Sequence, residues 1–217
     1  MKRGGDTRNT AVPSEHRPTM EILPPDWIRK RINTFATKVG SGATPRGGKA
    51  VYLPQRDSHA FIRSQNVFDR HFDHAGLAYI SRAHSHELRG VEVHADDILL
   101  NITGDGVTFA RACIVPKEVL PACVNQHVSI IRTNRDVCDP GYLLSFLTDP
   151  LTKRYMESFN TGGSRRALTK GHIESFEVLL PPLQLQKRIS GILSAYDEQI
   201  ENNQRRIRIL ETMARSL

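Results

Sequence analysis

The last 35 residues, Leu183 to Leu217, carry a single helical pattern whose apolar stripe is spaced to meet a second helix. Counting back from Leu217 in alternating threes and fours gives Ala214, Leu210, Ile207, Asn203, Ile200, Tyr196, Leu193 and Ile189, an a/d heptad seam with one polar member. No Gly follows Gly191 and no Pro follows Pro182. At 1.5 Å per residue such a helix is expected to run roughly 50 Å. That exceeds what a domain of this size needs to cover its own core, so the rest of the chain reads as a module carried on a strut.

About 160 residues lie between Pro24 and Pro182, enough to bury a core of their own. The formal charge of the 217-residue chain is +7 and is unevenly spread. From Trp27 to Arg70 there are nine basic residues (Arg29, Lys30, Arg31, Lys38, Arg46, Lys49, Arg56, Arg63 and Arg70) against Asp57 and Asp69. His71 to Ala110 is net acidic. A local positive field suits a polyanion, because Lys and Arg neutralise phosphates and release counterions; the plainer reading is a solubilising surface. Cys113, Cys123 and Cys138 form no CxxC pair and are odd in number, which points to a reducing compartment. Residues 1–22 are polar, with no apolar run for a signal peptide or membrane span, and are expected to be a flexible leader on a cytoplasmic protein.

Leu23-Pro24-Pro25-Asp26-Trp27 reads as a turn, and Gly40 to Lys49 as a Gly-rich basic loop. Short apolar runs at Gly76–Ile80, Asp97–Thr103, Val107–Pro116 and His127–Arg132 predict strands. Asp139-Pro140 predicts a helix start, with Tyr142, Leu143, Phe146 and Leu147 as its buried face. Leu151, Tyr155 and Phe159 predict a second short helix, and Phe176–Leu180 a last strand. The fold class is α+β: a β-rich domain with short helices over residues 23–181, then the long helix over 182–217.

Catalytic signatures are missing. Gly42 to Lys49 lacks GxxxxGK[ST] spacing, and Ala50 stands where a magnesium-binding hydroxyl is needed. Gly104-Asp105-Gly106 lacks the third glycine of a dinucleotide fingerprint. His71-x2-His74 and His84-x-His86 lack the Cys pair or HExxH that completes a zinc set. No GxSxG elbow occurs, and Asp139-Pro140-Gly141-Tyr142 departs from a base-flipping Pro-Pro-Tyr run. The chain is expected to be a non-enzyme without a metal of its own.

Six segments resemble the specificity subunit of type I restriction–modification enzymes. They are Leu23-Pro-Pro-Asp-Trp27, Gly40-Ser-Gly-Ala-Thr-Pro45, Asp96-Asp-Ile-Leu-Leu-Asn-Ile-Thr-Gly104, Val124-Asn-Gln-His-Val128, Tyr142-Leu-Leu-Ser-Phe-Leu147 and Leu179-Leu-Pro-Pro-Leu-Gln-Leu-Gln-Lys-Arg-Ile189. The last, with Ile192 to Ile200 after it, is the most specific. Family members usually carry two target recognition domains and two helical regions in one chain, whereas this chain holds one of each. Where the family often shows Ile-Gly after Thr-Gly, this chain has Asp105-Gly106-Val107-Thr108.

The resemblance implies sequence-specific recognition of double-stranded DNA. It implies methyltransferase subunits that bring S-adenosylmethionine, and a restriction and translocase subunit that brings ATP and Mg. No cofactor is expected on this chain. Self-pairing into a homodimer through an antiparallel coiled coil would restore two recognition domains, with Asn203 near the two-fold axis and Ile189 facing Leu217 of the partner, and the target would be a gapped palindrome. Thr44, Arg46, Lys49, Arg56, Arg165 and Arg166 are the expected DNA contacts, since Arg makes bidentate contacts with guanine and phosphate. The competing readings are a stand-alone dimeric DNA-binding or scaffold protein without a methyltransferase, and a metal-dependent hydrolase using the histidines.

Overall fold

Two four-stranded sheets share a core between their faces. The expected apolar runs Gly76–Ile80, Asp97–Thr103, Val107–Pro116 and His127–Arg132 supply four of their eight strands, and the expected strand at Phe176–Leu180 pairs instead with Ile28–Arg31 in a two-stranded sheet. The computed structural model describes residues 24–104, 107–159 and 166–216, with only the backbone of Arg166. The leader 1–22, Arg165 and Leu217 thus lie outside the described residues. The chain runs through β1 (Ile28–Arg31), β2 (Ala36–Ser41), β3 (His59–Ile62), β4 (Val67–Phe68), β5 (His71–Phe72) and β6 (Ala78–Ile80) to helix α1 (Arg82–Glu87). It continues through β7 (Glu92–Val93), β8 (Ile98–Asn101), β9 (Thr103–Gly104), β10 (Ala112–Ile114), β11 (Ala122–Val124) and β12 (Val128–Thr133). Helices α2 (Pro140–Thr148) and α3 (Pro150–Ser158), strand β13 (Arg166–Ala167), helix α4 (Lys170–Ser175), strand β14 (Glu177–Leu180) and helix α5 (Leu183–Arg215) complete it.

The first sheet has strand order β10-β8-β12-β2 and is antiparallel; the second, β6-β3-β11-β7, contains the parallel pair β3 and β11. Side chains alternate faces along a strand, and here both faces of the first sheet are covered. Ile98 and Leu100 point into a core shared with Leu143, Leu147, Met156, Ile173 and Phe176 of the helical layer. Leu99 and Ile130 point the other way, against Ala60, Ile62 and Val124 of the second sheet. A strand buried on both faces reads as a continuous apolar run, which is why Ile98-Leu99-Leu100 shows no polar alternation. Phe61, Ile80, Leu88 and Cys123 form a third, smaller core on the outer face of the second sheet.

Both predicted short helices are present; the first has the expected Asp139 cap, and the second is capped by Asp149, which the sequence reading did not name. The Asp139 carboxylate accepts from Tyr142 N at 3.0 Å, and Asp149 accepts from Leu151 N and Thr152 N. Their buried faces differ from the sequence reading. Leu143, Leu144 and Leu147 are buried in α2, whereas Tyr142 and Phe146 are half-buried. In α3 the Leu151–Tyr155 stripe faces outward, with Leu151 68% exposed, and Thr152 and Met156 take the core side. Asp149 caps the start of the helix, Met156 takes the core side, and Tyr155 meets the Phe176 ring edge-on while Phe159 lies tilted against it at the rim.

Helix α5 is docked at its start and free beyond. Gln186 is 1% exposed; its Oε1 accepts from Asp139 N, and its Nε2 donates to Val137 O and Pro181 O. Ser190 sits so close to Gly141 that a Cβ there would lie 2.2 Å from Ser190 Oγ. Half-buried Leu193 and Asp197 complete this docked face, and every residue from 198 to 216 is exposed. At about 100° per residue, Ile192, Tyr196, Ile200, Ile207 and Leu210 lie about a quarter turn away from that face. They are 51–66% exposed. The helix therefore presents one face to its own domain and leaves one open, with half-buried Ile189 and Leu193 along the border between them.

Candidate nucleic-acid interface

The Gly-rich loop follows β2 and is held against the turn between β11 and β12. Gly42 N donates to Val128 O at 2.9 Å and Ala43 N to Val124 O at 3.1 Å. A Cβ on Gly42 would lie 2.0 Å from Val124 O, so only glycine allows the approach. Gly47 and Gly48 have φ of +93° and +57°, conformations that glycine adopts without steric cost. The loop thereby projects Arg46 and Lys49, both exposed and without an ion pair among the described residues.

A polar chain ties this loop to two other segments. Thr44 Oγ1 donates to Gln126 Oε1, and Gln126 Nε2 lies 3.1 Å from His127 Nε2. His127 Nδ1 lies 2.7 Å from Thr103 Oγ1. With the amide donating to Nε2, the imidazole proton belongs on Nδ1, facing Thr103. Thr103 and Gly104 form β9, which pairs with β13 so that Arg166 lies opposite Gly104 and Ala167 opposite Thr103. A Cβ on Gly104 would lie 2.4 Å from Thr108 Oγ1, so this step also requires glycine. The geometry thus links the Thr44, Arg46 and Lys49 loop to the strand that carries Arg166. Gln126, His127 and Thr103 were not singled out as site residues from the sequence; the Asn125-Gln126-His127 turn was the available signal.

The remaining basic residues of 27–70 are largely used inside the fold. Arg56 donates to Leu120 O, Val119 O and Glu118 O and lies over the Tyr79 ring, so its guanidinium clamps a loop. Arg63 donates to Gly76 O and lies over Tyr52. Lys38 Nζ donates to Gly90 O; burial, then the neighbouring Arg132 charge, lowers its pKa. Arg31 pairs with Glu177, and Arg70 with Asp197. Five of the nine cations are engaged in this way, and Arg46 and Lys49 are left free in the loop.

Two fully buried polar side chains sit at the two ends of strand β8, which leads to β9. Asp97 is fully buried, receives two 2.7 Å bonds from Arg132 and accepts from His94 N. Asn101, also fully buried, donates to Ser64 O, Val67 O and Thr108 O, joining three segments. Among the described residues, no group of three His, Cys, Asp or Glu is placed to hold a metal. No described helix is long and apolar enough to cross a membrane.

The architecture is a two-sheet domain with a polar loop edge, mounted on a long helix with an open apolar face. The chain belongs to the family of type I restriction modification DNA specificity domains, whose model matches residues 87–212. It is 20% identical over 189 residues to the putative type I restriction enzyme MjaX specificity subunit of Methanocaldococcus jannaschii, covering 87% of this chain and 43% of that protein. Among solved structures it is similar to the HsdS subunit from Thermoanaerobacter tengcongensis (TM-score 0.59, 18% identity, covering 87% of this chain and 41% of that one). It is also similar to a chain from a study of complex assembly and conformational transition of the type I R-M system (TM-score 0.62, 20% identity, 84% and 41% covered). The chain spans about two-fifths of the length of these relatives.

Proposed function

We propose that this chain recognises double-stranded DNA as the specificity component of a type I restriction–modification assembly, and that it acts as a pair of copies joined through α5. It performs no chemistry itself; methyltransferase and restriction subunits supply S-adenosylmethionine, ATP and Mg. The observation that carries the reading is the open stripe Ile192, Tyr196, Ile200, Ile207 and Leu210 on a helix attached to a domain of this family. Half-exposed Ile and Leu repeated along a solvent-facing helix favour a partner helix.

In an antiparallel pair an a layer meets a d layer, so Ile200 faces Asn203 of the other copy, Tyr196 faces Ile207, Leu193 faces Leu210 and Ile189 faces Ala214. The two-fold axis then falls between Glu201 and Asn202, a small shift from an axis at Asn203. This register also brings Ile192, 51% exposed, beside Met213 of the other copy, 59% exposed. Each recognition domain presents Thr44, Arg46, Lys49 and Arg166 to one half-site. Arg56 contributes by fixing its loop.

The test is duplex binding by an Arg46→Ala, Lys49→Ala double variant. Loss of two phosphate contacts per domain is expected to weaken binding roughly tenfold or more and to flatten the salt dependence. Unchanged affinity and salt slope would remove the Gly-rich loop from the interface.

A further inference from the structure

We infer that the Arg70–Asp197 ion pair is the clamp that sets the angle between the recognition domain and α5, making both positioning residues for the spacing of the two half-sites. The spacing consequence rests on the DNA-binding reading above; the clamp itself does not. Arg70 Nε donates to Asp197 Oδ1 and Oδ2 at 3.0 and 2.7 Å, and its Nη2 lies 2.7 Å from Oδ2. Its Nη1 donates to Ser145 Oγ of α2 at 3.0 Å. One guanidinium therefore ties the β4–β5 turn to α2 and α5 together.

The backbone at Arg70 points the same way. It occupies the second position of the two-residue turn between Phe68 and His71, with φ +58°. Glycine or asparagine normally supplies a positive φ at such a position, and a larger residue there is strained. A strained backbone under a fully engaged side chain is a pointer to function. The turn is also anchored: Arg70 N donates to Ala112 O, and Asp69 pairs with Lys153 of α3.

Asp197 is the outermost residue of the docked face. Gln186 holds the helix at its buried end, Asp197 holds it eleven residues later, and beyond Asp197 the helix is exposed throughout. From Asp197 to Arg215 is about 27 Å at 1.5 Å per residue, so a 10° change at the clamp moves the tip by roughly 5 Å. That exceeds the 3.4 Å step between base pairs along one strand. An ionic clamp at the pivot therefore governs which spacer two domains can bridge.

The test uses the whole chain with spin labels on cysteines introduced at exposed His86 and Arg215, diluted with unlabelled protein so that one chain's distance is read. The native thiols are buried and stay unlabelled. Arg70→Gly relieves the turn while deleting the clamp, and Asp197→Asn weakens it from the other side. Both are expected to widen the distance distribution about twofold, with Asp197→Glu restoring most of the native width. Native widths in both deletions would overturn the clamp. On DNAs differing in spacer length, the deletions should reduce the preference for the best spacer at least fivefold with dimer mass unchanged; an unaltered preference would overturn the positioning role. If the native protein binds no duplex, the DNA reading fails while the distance measurement still decides the clamp.

Discussion

At the scale of single residues, the fold depends on buried polar side chains such as Gln186, whose partners are all backbone. Gln186 satisfies one N–H and two carbonyls at the junction of α2, Pro181 and α5. Gln186→Leu would fill similar space but leave those groups without partners, and buried unpaired groups cost about 1–3 kcal/mol each. We expect a loss of about 2–4 kcal/mol, read from denaturant midpoints at unchanged slope; a loss under about 0.5 kcal/mol would mean that water replaces the amide there. The three thiols give a second prediction. Burial is the main cause that raises Cys113, Cys123 and Cys138 from the ordinary 9.0 to about 12. A group kept protonated by the fold stabilises it fully below its unfolded pKa, and that contribution drains away as pH rises from 9 toward 12. The native protein should thus resist thiol reagents near pH 8, become reactive on unfolding, and lose thermal stability above about pH 9. Rapid labelling of the folded chain at pH 8 would contradict the burial.

At the scale of elements, what could be read from the sequence was set by how locally each element is determined. Strand β8 was legible because Ile98-Leu99-Leu100 is buried on both faces and forms an unbroken apolar run. Helix α2 was legible because Asp139-Pro140 is a local start signal. Helices α1 and α4 are six residues each with no apolar period, and their start signals, Ser81 accepting from His84 N and Thr169 from His172 N, are weak without one. Of the candidate site, the Gly-rich loop was visible through its glycines. The role of Arg56 was not, because its acceptors lie 62–64 residues away, and Arg70 and Asp197 are 127 residues apart. Of the predicted stripe on α5, Tyr196, Ile200, Ile207 and Leu210 are exposed, whereas Ile189 and Leu193 are half-buried and exposed Ile192 lies outside the predicted spacing; the stripe carries its own prediction. If a layers meet d layers, a mixture of Ile200→Cys and Asn203→Cys chains should cross-link on mild oxidation, while Asn203→Cys alone should not. Efficient cross-linking of Asn203→Cys with itself would instead put that residue on the two-fold axis.

At the scale of the whole molecule, a docked face and an open face on one helix separate two tasks that a single stripe would confuse. The docked face, from Gln186 to Asp197, makes the helix an extension of its own domain, and the open stripe, about 90° around the axis, is the face proposed to receive a second helix. On the proposed pairing, two identical domains related by a two-fold axis would read the same bases in opposite directions, and the helices between them would leave the central bases unread. Linking two weak half-site contacts raises affinity without new contacts, because the second becomes intramolecular. The expected solution mass is therefore twice 24.4 kDa. Duplexes enriched from a random pool should converge on an inverted repeat around an unspecified spacer. Changing that spacer by one base pair rotates one half-site by about 35° relative to the other and should cost at least about tenfold in affinity. Enrichment of one unrepeated half-site, by a protein that stays monomeric, would mean that the open stripe is meant for a different chain.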